Sequence, residues 1–588
     1  MRVEEGFQQT PFSDEQPYSA DPVLPSLLRR LLPELAHAEI QSDLQRFEKE
    51  IATSIRALSK LTTAPYLTQY DQWGKRIDEL RTSEGWRGLK AVSHKEGVVA
   101  ISYERKHGEH SRVHAFAKML MMTADGQMIF CPMSMTDGCA RSIELFGTPA
   151  MKKEVFPRLV SRDPAVAFTA GQWMTERPGG SDVSQTETIA TPYPHAASPL
   201  GNAYKLDGFK WFSSATDSNV AVALARTGTI SEGSRGLSLF LVPLRLPLTQ
   251  PSASPVSNNI FVHRLKNKIG THSVPTAELS LTGAEAYLLG PPQQGIKCIV
   301  PVLNITRVHS AIASAGGLRK CIAIARSFAG VRAIAGGRRL LSETPLHVAE
   351  LARAALVYRA LVHLTFGAVR LLGKAECGTA SAEELLRFRL MTPIAKGFAA
   401  EKAVTAMEEC MAALGGQGYM EENEIGRLIR DGLVEKIWEG TITVLALDLL
   451  RSIQIPGVLN AYMTWAHGLL TSVPDGLRSD IAVSHSELSA ALQELSVAYK
   501  APVHDLIPRS AFMLISQITT SLYLLEHAAW SHSTRDRQRD IDVEAFRRWV
   551  DEGGLKTARD DVKRVLGAGD YRSQLDFALV YGGSRSKL

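Results

Sequence analysis

Four short stretches hold the residue types that ligand chemistry uses. Met174-Thr-Glu-Arg-Pro-Gly-Gly-Ser-Asp-Val183 packs two glycines, a proline and four small polar or acidic side chains into ten residues. Glycine removes Cβ clashes and accepts φ > 0, so backbone amides in such a loop can approach a ligand closely; an ordinary surface turn has the same composition. Gly208-Phe-Lys-Trp-Phe-Ser-Ser214 reads as the start of a strand that brings Trp211 and two hydroxyls toward one ligand, although a Trp there also suits a core. Leu414-Gly-Gly-Gln-Gly-Tyr419 and Lys436-Ile-Trp-Glu-Gly-Thr441 complete the set. A thiolate metal site is not expected: the six cysteines lie far apart without CxxC spacing, and no HExxH or paired-histidine array accompanies them. That usage reads as a reduced, intracellular protein.

The elements that must position these stretches follow from periodicity. At 588 residues, with 45% apolar and 22% charged side chains, the chain has material for a large core and is too long for one ordinary domain. Disorder and a disulfide-stapled miniature are excluded. From Pro25 to about Leu159 apolar residues return every three or four positions, which predicts helices joined by polar loops. Between Phe168 and Leu289 the period shortens: Val220–Arg226, Leu237–Pro243, Ile260–Leu265 and Ala277–Leu281 read as strands between Gly, Pro, Ser and Asn clusters. The helical period resumes over Val302–Ala335, Pro345–Leu372, Ser381–Leu414 and Thr441–Ile455, as in a bundle. The expected fold is α+β, in four domains. Residues 1–160 form an N-terminal helical domain and 161–292 a small β-barrel; 293–455 form a four-helix bundle and 456–588 an extra C-terminal helical domain.

The net charge of +5 comes from 66 basic and 61 acidic residues spread along the chain, and the segment from Arg451 onward balances at 16 of each. Duplex binding needs several phosphate-neutralising side chains on one face, so nucleic acid is not an expected partner. The acidic, Pro-punctuated start lacks the pattern of a secretory or mitochondrial leader. The apolar window Phe512–Trp530 is interrupted by Ser516, Gln517, Thr519, Thr520, Ser521, Glu526 and His527, which suits a buried helix, and no membrane segment is expected. The chain closes on Ser586-Lys587-Leu588 after Gly-Gly-Ser-Arg, the tripeptide that a peroxisomal import receptor reads, which implies the peroxisomal matrix.

Taken in order, the motifs resemble those of the acyl-CoA dehydrogenase family of flavoproteins, and within it the AidB-like branch. The family's T-E-P-x-A-G-S-D appears as Thr175–Asp182 and its G-x-K-x-(W/F)-I-(T/S)-N as Gly208–Ser214. L-x-x-x-R matches Leu303–Arg307, R-x-x-F-G matches Arg332–Gly336, G-G-x-G-Y matches Gly415–Tyr419, and (Y/W)-E-G-T matches Trp438–Thr441. The likeness spans about residues 110–455 and implies FAD between barrel and bundle. It places Met174, Thr175 and Ser181 against the flavin ring or the CoA arm, Trp211 against the isoalloxazine, Ser213 near N5, Thr441 among the cofactor contacts and Arg307 on the substrate side. Arg332 and Gly416 match positions that hold the adenine dinucleotide of a neighbouring subunit, which implies a homotetramer or homodimer. The sequence departs from the pattern at Arg177, Ala335 and Ala412, which weakens the implied contacts between subunits more than those to the flavin ring.

The resemblance implies α,β-desaturation of an acyl thioester, such as an acyl-CoA, with the α-proton going to a carboxylate and the β-hydride to flavin N5. Glu439 is the candidate base. It precedes Gly440 and an apolar helix, so the helix N-terminus favours its anion while desolvation by ligand raises its proton affinity. Relatives that carry the base on the first bundle helix have it where this chain has Thr306, which cannot serve. Nitroalkane oxidases on the scaffold carry Asp at the Glu439 position. Two alternatives stay open: a DNA-binding, protective flavoprotein of the AidB type, and an acyl-CoA oxidase passing electrons to O₂.

Overall fold

The computed structural model describes residues 16–193, 199–248, 256–500, 503–568 and 571–583; the terminal Ser586-Lys587-Leu588 lies outside the described residues. The first third is a helical layer: α1 (Leu24–Leu31), α2 (Glu34–Glu50), α3 (Arg56–Lys60), α4 (Glu84–Lys95), α5 (Ala100–Glu104), α6 (Ser111–Met122), α7 (Phe130–Phe146), α8 (Pro149–Glu154) and α9 (Phe156–Leu159). The sequence reading expected helices throughout this layer, and the structure corrects this. The antiparallel pair β1 (Tyr66–Tyr70) and β2 (Arg76–Arg81) interrupts it. The Asp71 carboxylate closes their turn by accepting from the Trp73 and Lys75 amides, and Gly74 takes φ +78. The hairpin docks on the middle domain, where Arg76 donates to the Val262 carbonyl at 2.7 Å and the Val262 amide donates to Asp78 at 2.9 Å.

The middle strands are β3 (Ala170–Trp173), β4 (Ile189–Pro192), β5 (Ala203–Ser214), β6 (Val220–Arg226), β7 (Leu237–Pro243), the two-residue pair β8 (Arg245–Leu246) and β9 (Val256–Ser257), then β10 (Ile260–Leu265) and β11 (Thr276–Leu288). Pairing runs β5 to β11, β11 to β7, β7 to β6, β6 to β4 and β4 back to β5, which closes a ring. A closed ring leaves no edge within it, and β3 and β10 flank it on β6 and β11. Leu206, Ala221, Ala223, Phe240, Val242, Leu279 and Ala286 fill one of its apolar clusters. Gly208–Ser214 proves to end a strand and not to begin one: it is the second half of β5. Gly208 is tolerated mid-strand because Thr188 packs where its Cβ would be.

After the barrel, α10 (Gly295–Ala329) leads to a two-residue hairpin, β12 (Ala333–Ile334) with β13 (Arg339–Leu340), so this helix ends short of Ala335. α11 (Pro345–Cys377), α12 (Ala382–Ala412), α13 (Ile425–Glu435) and α14 (Ile442–Ile453) follow; α10, α11, α12 and α14 make the bundle. By length and composition α10 and α11 could each cross a membrane, but 67% and 72% of their most apolar windows are buried inside the protein. The appended helices are α15 (Val458–Thr471), α16 (Asp475–Arg478), α17 (Ala482–Ala498), α18 (Ile507–Ser533), α19 (Arg539–Glu552), α20 (Leu555–Leu566) and α21 (Tyr571–Tyr581). Two glycine notches dock α18 on the bundle: Tyr523 occupies the Cβ space of Gly367 on α11, and Phe512 that of Gly397 on α12. Along α18 the hydroxyls of Ser516, Thr519, Thr520 and Ser521 donate to carbonyls four residues back, so this polar stretch is buried without orphaned hydroxyls.

Candidate active site

Two of the glycine-rich motifs meet on the barrel. The Trp211 amide donates to the Thr175 carbonyl at 2.9 Å, and one residue earlier Lys210 Nζ donates to Glu176 Oε1 at 2.6 Å. Both side chains of this ion pair are buried, with 0% and 2% exposure. Glu176 also accepts from the Thr188 hydroxyl and from the Glu187 amide, while Lys210 reaches the Leu224 carbonyl. Sequence reasoning assigned Glu176 and Lys210 no role; they pin the Thr175 loop to β5. Met174 and Thr175 are half-buried and Ser181 is exposed on the loop. Trp211 is half-buried, and the Lys266 ammonium lies 3.3 Å from its ring centroid while pairing with Glu278. A planar ligand stacking on Trp211 therefore uses the opposite face. Two residues on, Ser213 is fully buried and its hydroxyl has no hydrogen-bond partner among the described residues.

The second centre is built by the bundle. Thr441 caps α14, its hydroxyl accepting from the Val444 amide, and the chain enters that cap through two consecutive left-handed residues, Glu439 at φ +56 and Gly440 at φ +104. A positive φ is uncommon outside glycine and needs neighbours that hold it. Cations supply that hold: Lys396 of α12 donates to the Gly440 carbonyl at 2.6 Å, and Arg307 Nε of α10 to the Glu439 carbonyl at 3.4 Å. Arg307 also pairs with Asp448 of α14 at 2.9 Å, so the residue placed on the substrate side serves here as a clamp on the turn. The turned-out Glu439 carboxylate accepts from the Thr306 hydroxyl at 2.5 Å. Burial pushes the Glu439 carboxyl above its usual range, opposed by the Thr306 hydroxyl and by the charges of Arg307 and Lys396.

Around Glu439 lie groups the sequence reading did not single out. Glu435, the last residue of α13, is buried, and its Oε2 accepts from Ser310 of α10 and from the Trp438 indole. Burial pushes Glu435 up to about 7, against those two donors and Lys396, with the Glu439 charge reinforcing the rise. Burial pulls Lys396 down to about 8, opposed by Glu435 and Glu439. Cys131 on α7 is pushed up to about 12 by burial, with Lys268, Glu435 and Glu439 all close enough to act on it. Lys268 in turn donates to Thr276, whose hydroxyl bonds Ser214 at 3.0 Å. Lys268 thus links the end of β5, through Thr276, to a buried region whose charges include Glu435 and Glu439. Two of the expected residues stand apart from both centres: Arg332 is exposed at the entry to the β12–β13 hairpin, and Gly416 is exposed with open space around it. Among the described residues no cluster of His, Cys, Asp and Glu could hold a metal ion.

Comparison with known proteins accounts for this layout. Residues 293–454 match the model of the acyl-CoA dehydrogenase C-terminal domain, 171–284 that of the middle domain, and 7–164 that of the adaptive response protein AidB N-terminal domain. The chain is 38% identical over 558 residues to acyl-CoA dehydrogenase family member 11 of Caenorhabditis elegans, covering 92% of this chain and 88% of that protein. It is 30% identical over 395 residues to the putative acyl-CoA dehydrogenase AidB of Escherichia coli, 66% of this chain and 69% of that one. The crystal structure of C. elegans ACDH-11 in complex with C11-CoA superimposes with a TM-score of 0.86 at 36% identity, over 96% of this chain and 97% of that one. Barrel and bundle are those of a flavoprotein oxidoreductase scaffold, and the chain belongs to the acyl-CoA dehydrogenase family.

Proposed function

We propose that the chain is an FAD-dependent acyl-CoA dehydrogenase in which Glu439 takes the α-proton of an acyl thioester. The observation that carries this is the state of Glu439: a carboxyl held on a left-handed turn by Lys396 and Arg307, with its proton affinity raised by burial. A general base works best with its pKa near the operating pH, and such a base contributes about 10²–10⁴-fold.

The barrel residues fit the cofactor. The orphaned, buried Ser213 hydroxyl needs a partner, the Thr175 loop is pinned to β5 by Glu176 and Lys210, and one face of Trp211 remains for a planar ring. Met174, Thr175, Trp211 and Ser213 would hold the isoalloxazine, and Thr441 lies at the adjoining helix cap. When bound, FAD supplies the acceptor for the β-hydride and its electron pair. The protein's own part is to orient the thioester, keep Glu439 as a carboxylate through Thr306, and receive the α-proton on that carboxylate as the Cα–H bond breaks.

The substrate class is acyl-CoA, supported by the C11-CoA held by the C. elegans relative. Arg332 and Gly416, exposed and away from both centres, suit a homo-oligomer in which each reaches a neighbouring subunit's cofactor. The terminal Ser586-Lys587-Leu588 supports delivery to peroxisomes by their import receptor. The test of the function is anaerobic titration of the yellow holoprotein with acyl-CoAs of graded length. Bleaching of the flavin by a saturated acyl-CoA is the expected result; a flavin-loaded protein that no acyl-CoA bleaches contradicts it.

A further inference from the structure

The bundle presents two carboxyls in parallel. Thr306 and Ser310 are four residues apart on α10, so they stand one turn apart on one face of the helix. Each donates to a carboxylate, Thr306 to Glu439 and Ser310 to Glu435, and these are also four residues apart. Two neighbouring rungs on α10 therefore hold the two acids, Glu435 at the end of α13 and Glu439 in the turn that follows, close enough that the Glu439 charge acts on Glu435. Lys396, which donates to the Gly440 carbonyl, feels both acids. Trp438, next to Glu439 in the chain, donates its indole proton to Glu435. Each element packed around Glu435 contributes a named charge or titrating group: Lys396 from α12, Arg307 from α10, Cys131 from α7 with Lys268 beyond it, and Glu439 from its own segment. Nothing in the proton transfer to Glu439 itself requires a second buried acid.

We propose that Glu435 is a positioning residue for the reaction: a second, proton-exchanging carboxyl, fixed by Ser310 and Trp438, whose charge sets the basicity of Glu439. The inference rests on Glu439 being the base. While Glu435 is protonated, Glu439 has no like charge beside it and is the weaker base. The Glu439 charge raises the proton affinity of Glu435, and because such coupling is reciprocal an ionised Glu435 raises that of Glu439, so α-proton removal speeds up. Burial places that ionisation near neutrality. The exchange involves protons alone: Glu435 releases its proton to solvent, and no bond to carbon is made or broken there.

The test follows two signals through pH 5–9 in the flavin-loaded protein. One is Trp438 emission, isolated as wild type minus Trp438→Phe; the other is the single-turnover rate of flavin reduction by acyl-CoA. Both are expected to inflect near pH 7 in the wild type. In Glu435→Gln, which keeps an oxygen acceptor for Ser310 and Trp438, both inflections disappear while flavin remains bound. In Ser310→Ala the lost donor favours the protonated acid, so both inflections move up by about 1–2 pH units. A Glu435→Gln protein whose reduction rate still steps near pH 7 overturns the proposal and leaves the assignment of Glu439 intact. If Glu439→Gln is reduced as fast as wild type while Trp438 still titrates, the base assignment fails and the proposal falls with it.

Discussion

Lys210→Met tests the claim that two sequence-distant motifs are locked together by one buried ion pair. Methionine fills a similar volume but removes the ammonium that Glu176 faces at 2.6 Å, with both side chains at 2% exposure or less. Glu176 keeps the Thr188 hydroxyl and the Glu187 amide, yet it becomes a buried carboxylate without a counterion. Breaking such a pair by removing one partner costs about 3–5 kcal/mol, a large share of the ~5–15 kcal/mol that holds a folded protein together. At about 2–4 °C per kcal/mol, the barrel should release flavin and unfold about 6–20 °C earlier than wild type. The pH dependence has a definite sign. The Lys210 charge and hydrogen bond hold Glu176 below the usual carboxylate range against the opposing effect of burial, so the wild-type pair contributes fully above about 4.5 and is lost as pH falls through the depressed value. In Lys210→Met burial is opposed only by the Thr188 hydroxyl and the Glu187 amide, so the Glu176 pKa rises above its wild-type value and the gap to wild type widens as pH rises and Glu176 ionises. Adding Glu176→Gln removes the stranded charge and should return most of the loss. Differential scanning of the flavin-loaded proteins, followed by flavin emission, reads all of these. A double variant no more stable than Lys210→Met, or a single variant within ~1 kcal/mol of wild type, refutes the reasoning.

The remaining predictions concern the site and its address. Thr306→Val deletes the hydroxyl that favours ionised Glu439; a hydrogen bond to a charged group is worth about 1.5–3 kcal/mol, so the acid limb of flavin reduction should move up by about 1–2 pH units in stopped-flow measurements. Trp211→Ala removes the half-buried ring that Lys266 covers on one face, and should raise the flavin dissociation constant at least tenfold in a dialysis assay while Glu439 still binds its proton. The proposed peroxisomal address predicts that deleting Ser586-Lys587-Leu588 shifts the protein to the cytosol in fluorescence microscopy with flavin content unchanged; an unaltered distribution refutes that address.

The parts of this architecture legible in the sequence are those set by local periodicity. The apolar spacing of Val302 onward, Pro345–Leu372 and Ser381–Leu414 predicts α10, α11 and α12 because their buried stripes recur every three to four residues. Val220–Arg226 is β6 residue for residue, since its seven buried positions leave no helical face. The β1–β2 hairpin was hidden because its strands are half-exposed and polar, with Tyr66, Tyr70 and Ile77 outside, and the Asx turn at Asp71 reads as an ordinary loop. In the site, Glu439 and Arg307 could be placed from motif spacing. Glu435, Lys396 and Ser310 could not, because they come from three helices whose register is decided by packing. Glu176 and Lys210 stood inside recognised motifs, yet their pairing depends on the loop folding back onto β5.

The central claim is that Glu439 removes the α-proton. The most direct measurement is anaerobic single-turnover reduction of the flavin in Glu439→Gln, using an acyl-CoA that bleaches the wild type. Gln keeps the size and an oxygen acceptor for Thr306 but cannot take the proton, so the ligand should still perturb the flavin spectrum while reduction slows by about 10²–10⁴-fold. Bleaching of Glu439→Gln at the wild-type rate would contradict the account.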